Sequence, residues 1–164
     1  PELASLLAWS EAVNALVAKV VKNVPPFPWA ARSLIKINKH ADAICVSQTP
    51  TEALAREWKE NGLTGFVRVI AGQELGTKAE HLQLASKGRF RANRVLMIGD
   101  ALGDRDAARS IGAQFYPIAP GREDDSWHRF HDEAFDLFLA GKFAGAYALE
   151  RLSEFEALLP DAPQ

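Results

Sequence analysis

This sequence predicts an α/β fold with a mostly parallel sheet, on three observations. Four short, nearly all-apolar runs (Ala43–Val46, Phe66–Ile70, Val95–Ile98 and Phe115–Ile118) alternate with segments of helical periodicity. That alternation implies βαβ units and parallel pairing. Strands apolar at nearly every position are those covered on both faces.

The chain has 164 residues, a formal net charge of −2 and 48% hydrophobic residues. These values fit a globular domain and give no basis for nucleic acid or an anionic membrane as partner. No apolar run approaches the ~20 residues of a membrane span. Cys45 is the single cysteine, in an apolar run, so there is no disulfide framework and the cytoplasm is the expected compartment.

Leu3, Leu6, Leu7, Val13, Leu16, Val17, Val20 and Val21 recur at helical spacing, which predicts an amphipathic helix. The Pro-rich stretch Val24–Pro28 ends it and marks a boundary between residues 1–24 and 25–164. Trp29–Asn38 reads as a helix and Ala43–Val46 as a strand. Thr49–Asn61 reads as a helix opened by the capping box Thr49-Pro50-Thr51-Glu52 and closed by Gly62. Phe66–Ile70 is a strand, and a second capping box, Thr77-Lys78-Ala79-Glu80, opens the next helix. Val95–Ile98 is a strand, Asp104–Ile111 a helix and Phe115–Ile118 a strand. Glu123–Ala140 and Ala144–Leu159 are two further helices. Trp127, Phe130, Ala134 and Phe138 stripe the first of them.

In parallel sheets, ligands gather at the carboxyl ends of the strands. Three loops there carry polar groups. Asp100 follows the strand and Gly99, with Asp104 four residues on. Mg²⁺ takes oxygen ligands, usually one or two carboxylates completed by phosphate and water. Asp104 would serve equally as a helix cap and Asp100 as a turn former. Lys78 stands in the first turn of a helix, where a cation opposes the macrodipole by ~0.3–1 kcal/mol unless an anion binds nearby. Ser47 and Gln48 precede a helix start, where a hydroxyl and free N–H groups can cradle phosphate. His128 and His131 lie three apart on a helix without further ligands and read as a solvated face. Arg89, Arg91 and Arg94 read as solubilising, and Cys45 as core.

In order and spacing these residues resemble the haloacid dehalogenase-like hydrolase superfamily, most of whose members are phosphatases. Ala43–Ser47 matches its second motif, Gly76-Thr77-Lys78 its third, and Val95–Asp104, with its Gly-Asp-x-x-x-Asp, its fourth. The likeness covers roughly Pro25–Pro120, and Ala107–Gly112 is similar to the phosphoglycolate-phosphatase branch. The resemblance implies a Rossmann-like core and a Mg²⁺-dependent hydrolase acting on a small phosphorylated substrate. In that reading Asp100 and Asp104 hold the metal, Asp104 directly or through water. Ser47, Gln48 and Lys78 bind the phosphoryl group, with Ser47 and Lys78 catalytic. The family's nucleophile is an aspartate on a strand ending Asp-x-Asp, and no such strand precedes Ser47. The expectation is therefore that this strand lies outside the chain and that residues 1–24 are the end of a helical cap domain. These residues alone would then be inactive. The alternative is a non-catalytic module that keeps an anion or partner site. A dinucleotide-binding domain would need Gly-x-Gly-x-x-Gly, which is not present.

Overall fold

The computed structural model describes residues 2–20 and 24–159. It is a mixed α/β structure, mostly helical, with two small parallel sheets. The elements are α1 (Glu2–Val20), α2 (Pro28–Ile37), β1 (Cys45–Val46), α3 (Thr51–Glu60), β2 (Ile70–Ala71), α4 (Lys78–Ser86), β3 (Leu96–Gly99), α5 (Leu102–Ser110), β4 (Gln114–Pro117), α6 (Glu123–Arg129), α7 (Phe135–Leu139) and α8 (Ala146–Glu156).

β1 pairs with β2 and β3 with β4, each in parallel. The bonds that flank the first pair are Arg68 N–H to Ala43 O, Cys45 N–H to Val69 O and Ser47 N–H to Ala71 O, at 2.8–3.0 Å. The register aligns Cys45 with Ile70 and Leu96 with Gln114. Backbone groups alternate in direction along a strand. The pairing therefore turns those of Ile44 and Val46 away from β2, and those of Leu96 and Ile98 away from β4. Among the described residues no strand pairs with either of these two edges.

Both sheets contribute to two apolar clusters. Ala43, Leu96, Ile98, Tyr116 and Ile118 pack with Ile37, Phe130, Ala134, Phe135, Phe138 and Phe143 on one side. Val46, Met97 and Phe115 pack with Leu82, Ala107 and Ala108 on the other. One helical layer is thus α2 and α6–α7, and the opposite layer is α4 and α5. Phe130–Ala134 forms a π-helical turn between α6 and α7. Its extra residue per turn swings Phe135 onto the face that already carries Phe130 and Ala134, and all three are buried.

Several sequence-based boundaries shift. The strand expected over Phe66–Ile70 forms only at Ile70–Ala71, because Thr64–Phe66 closes a 3₁₀ turn. The strand expected over Ala43–Val46 shortens to Cys45–Val46, since only one of its edges is paired. α3 begins at Thr51 with no side-chain cap on Pro50, so the capping box expected at Thr49–Glu52 does not form. Thr49 N–H instead donates to Ser47 Oγ at 3.1 Å, and Glu74 caps Thr51 from the next loop. Gly62 does close α3: its N–H and that of Leu63 reach the Lys59 and Trp58 carbonyls. α1 is helical as expected, yet of its described apolar side chains only Val13 is half-buried. Leu3, Leu6, Leu7, Trp9, Leu16 and Val20 are all exposed. Val21 lies outside the described residues, as does the side chain of Val17. No described helix is long and apolar enough to cross a membrane.

Candidate functional site

The site is built from three loops at the carboxyl ends of β1, β2 and β3. α4 starts as the sequence indicates. Thr77 Oγ accepts from Glu80 N–H at 3.2 Å, and the Glu80 carboxylate accepts from Thr77 N–H at 2.8 Å. The Thr77 N–H and the Thr77 hydroxyl, which also donates to that carboxylate at 2.8 Å, hold the Glu80 carboxyl below the usual carboxylate range. The box fixes the first turn of α4 and with it the root of Lys78.

Lys78 Nζ closes on Asp104 Oδ1 at the start of α5. The Asp104 side chain is 3% exposed and that of Lys78 21%. The other Asp104 oxygen accepts from Ala101 N–H at 3.2 Å. Asp104 is thus the third residue of α5 rather than its N-cap, and Ala101 returns only its carbonyl to Asp104 N–H. A buried carboxylate needs such partners, because an unpaired charge there is costly. Gly99 makes the arrangement possible. A Cβ on Gly99 would stand 2.6 Å from Asp104 Cβ and nearer still to its carboxylate.

Asp100 is exposed and its carboxylate makes no hydrogen bond or ion pair among the described residues. Of the two carboxylates expected at a metal, only Asp100 has free oxygens; those of Asp104 are engaged by Lys78 and Ala101. Among the described residues no three His, Cys, Asp or Glu side chains form a metal-holding group. A cation here would therefore have one free protein carboxylate, that of Asp100, with Asp104 behind it committed to Lys78. That lies within what Mg²⁺ accepts when phosphate and water complete its shell. The chain's one Asp-x-Asp triplet, Asp104-Arg105-Asp106, lies within α5; Asp106 is exposed and pairs with Arg105 at 2.8 Å.

Ser47 is half-buried at the end of β1. Its hydroxyl donates to Thr49 Oγ1 at 3.2 Å and accepts from Thr49 N–H. Gln48 beside it is exposed, with no side-chain hydrogen bond among the described residues. Thr51 N–H, the first donor of α3, is taken by Glu74 at 3.0 Å. The cradle expected at this helix start is thus narrower than the sequence suggests, and the Gln48 N–H within it has no partner among the described residues. The hydroxyl of Ser47 is already engaged locally. Glu74 gave no sequence signal; only contacts across the loops reveal it.

The remaining candidates have structural roles. His128 and His131 both reach Asp132, at 2.9 and 2.6 Å. Trp29 of α2 stacks on His128 with ring centroids 4.1 Å apart, so this pair belongs to helix packing. Arg94 donates to Leu139 O at 2.9 Å, and Arg89 approaches Asp42 at 3.5 Å. Burial pushes the Cys45 thiol up to about 11, although the residue is half-buried and joins neither apolar cluster, short of the core position expected.

No protein-family model matches this chain, and no curated protein matches its sequence.

Proposed function

We propose that these residues form the phosphate- and metal-binding part of a haloacid dehalogenase-like phosphatase with a Rossmann-like core. Its substrate would be a small phosphomonoester. One observation carries the reading. Lys78, placed by a capping box after β2, meets buried Asp104 after β3, and free Asp100 lies four residues before Asp104. A structural ion pair would need neither the unpaired carboxylate nor a lysine at an adverse helix start.

In this reading Gln48 N–H and the Ser47 hydroxyl hold phosphoryl oxygens, the hydroxyl after turning from Thr49. Lys78 offsets phosphoryl charge, and Asp104 keeps the ammonium aimed, as a positioning residue. Preorganised positive groups of this kind carry most phosphoryl-transfer catalysis. Asp100 would hold Mg²⁺, which would neutralise charge on the transferring group. The nucleophilic carboxylate would come from a strand outside these residues, paired to the open edges of β1 and β3. Its oxygen would attack phosphorus, the ester P–O bond would break and the leaving alkoxide would take a proton from water. Water then cleaves the acyl phosphate.

The test is turnover of p-nitrophenyl phosphate by a polypeptide joining such a strand to these residues. Turnover should require Mg²⁺ and be lost in Asp100→Asn. Activity indifferent to both refutes the reading. A binding module without chemistry is the second reading, favoured by the lack of any strand in this chain that ends in Asp-x-Asp. It predicts phosphate binding with no turnover in the same experiment.

A further inference from the structure

The loop after β1 and the loop after β2 are fastened together at a point neither strand reaches. Glu74 Oε2 accepts from Thr51 N–H at 3.0 Å and from Thr51 Oγ at 2.7 Å. Thr51 Oγ in turn accepts from Gly72 N–H at 3.1 Å, and Gln73 N–H donates to Thr49 O at 3.1 Å. The approach is close enough that a Cβ on Gly72 would sit 2.5 Å from Thr49 O and 2.6 Å from Thr51 Oγ1.

We infer that Glu74 is a positioning residue, clamping the β1–α3 loop to the β2–α4 loop so that Ser47 and Gln48 stay in register with Lys78. The inference rests on the phosphate-binding reading above. Thr49 is the link on one side. Its carbonyl is held by Gln73, while its N–H and hydroxyl hold Ser47 Oγ. On the other side Lys78 follows Glu74 by four residues, through a 3₁₀ turn closed by Leu75 N–H to Gly72 O at 3.2 Å. A phosphate bridging Ser47, Gln48 and Lys78 needs both loops at one spacing, and Glu74 fixes that spacing. Its carboxylate also takes the Thr51 N–H, which would otherwise offer an anion a second seat.

The test is an amide NMR titration of the 164-residue chain with inorganic phosphate, in four forms. In the wild type, shifts at Ser47, Gln48 and Lys78 should report one shared Kd. Glu74→Ala should raise that Kd about tenfold, as expected for losing a charge-assisted contact, and should bring Thr51 into the shifted set. Glu74→Gln keeps an oxygen acceptor and should return to within about threefold of wild type. Thr51→Val removes the hydroxyl shared by Glu74 and Gly72, so it decides the matter should Glu74→Ala unfold. Its Kd should rise as well. A Kd within about twofold of wild type in both Glu74→Ala and Thr51→Val overturns the clamp and leaves the phosphate site standing. No shared Kd in the wild type overturns the phosphate reading, and the clamp's role with it.

Discussion

Adding one methyl group at Gly99 should cost this fold a large share of its stability, by a route the geometry specifies. An alanine Cβ there would stand 2.6 Å from Asp104 Cβ, closer than real side chains approach. Asp104 is 2% exposed and lies in the first turn of α5, so it has no open space to enter. If it moves, its carboxylate leaves Ala101 N–H and Lys78 together. A hydrogen bond to a charged group contributes about 1.5–3 kcal/mol, and breaking one side of a buried ion pair costs about 3–5 kcal/mol. The two figures count the same carboxylate, so the expected loss is about 3–5 kcal/mol rather than their sum. Urea unfolding followed by circular dichroism measures it. With a slope of about 2 kcal/mol/M, the midpoint should fall by roughly 2 M. The mechanism has its own control. In an Asp104→Gly background the methyl group meets neither the carboxylate nor the Cβ, and Gly99→Ala should then cost under about 1 kcal/mol. Equal losses in both backgrounds would refute the argument, as would a loss below about 1 kcal/mol in the wild type.

Other substitutions and conditions test separate parts of the structure. Thr77→Ala removes the α4 cap and should lower stability by about 1 kcal/mol in the same urea assay; no change would mean that Glu80 alone suffices. Phe130 is 1% exposed in the larger cluster, and Phe130→Ala should cost about 3–5 kcal/mol; a cost below 2 kcal/mol would show that the cluster closes over the void. The Cys45 thiol, pushed up to about 11 by burial, should react with a disulfide reagent at neutral pH about a hundredfold more slowly than in the urea-unfolded chain. Equal rates would place Cys45 in water. Hydrogen bonds from Thr51, Thr77 and His131 hold the carboxyls of Glu74, Glu80 and Asp132 below their usual range. The unfolded chain takes up protons first on acidification. The stability from these three is therefore full above about pH 5 and drains away as pH falls through their lowered values. A urea midpoint unchanged between pH 6 and pH 3 would contradict this.

What the sequence made legible was what is local. The Thr77–Glu80 box, the Gly62 terminus and the parallel pairing of β3 with β4 follow from residues a few positions apart or from apolar runs. Asp100 and Lys78 stand out in the sequence for the same reason: each departs from what its local element requires. Contacts between loops were not. Thr49–Glu52 has the letters of a capping box, yet the Thr49 N–H goes to Ser47 Oγ and the Thr51 N–H to Glu74. The spacing of Asp100 and Asp104 suggested a metal held by Asp100, with Asp104 a second ligand or a support through water. Burial and Lys78 divide their work, leaving one carboxylate free and the other committed. α1 shows the limit of periodicity. Its apolar residues sit at helical spacing and form a helix, but spacing does not say what covers them.

The half-buried state of the strands bears on the proposed chemistry. Ile44, Val46, Leu96 and Ile98 are neither core nor surface, although the cluster that Val46 joins and the one that Leu96 and Ile98 join lie under helices. The covering is vertical, from the helical layers; what is missing is lateral. Each of these residues turns its backbone toward an edge that no described strand pairs. Unpaired N–H and C=O groups beside apolar side chains are a standing cost in stability and solubility. A third, extended, apolar segment running parallel to both edges would remove that cost. It would let the apolar run Ala43–Val46 form a full strand, and its carboxyl end would emerge beside Ser47 and Asp100. In the proposed function, the open edges and the unused carboxylate of Asp100 would have one cause, felt in the hydrogen bonding of the sheets and in the chemistry at their rim.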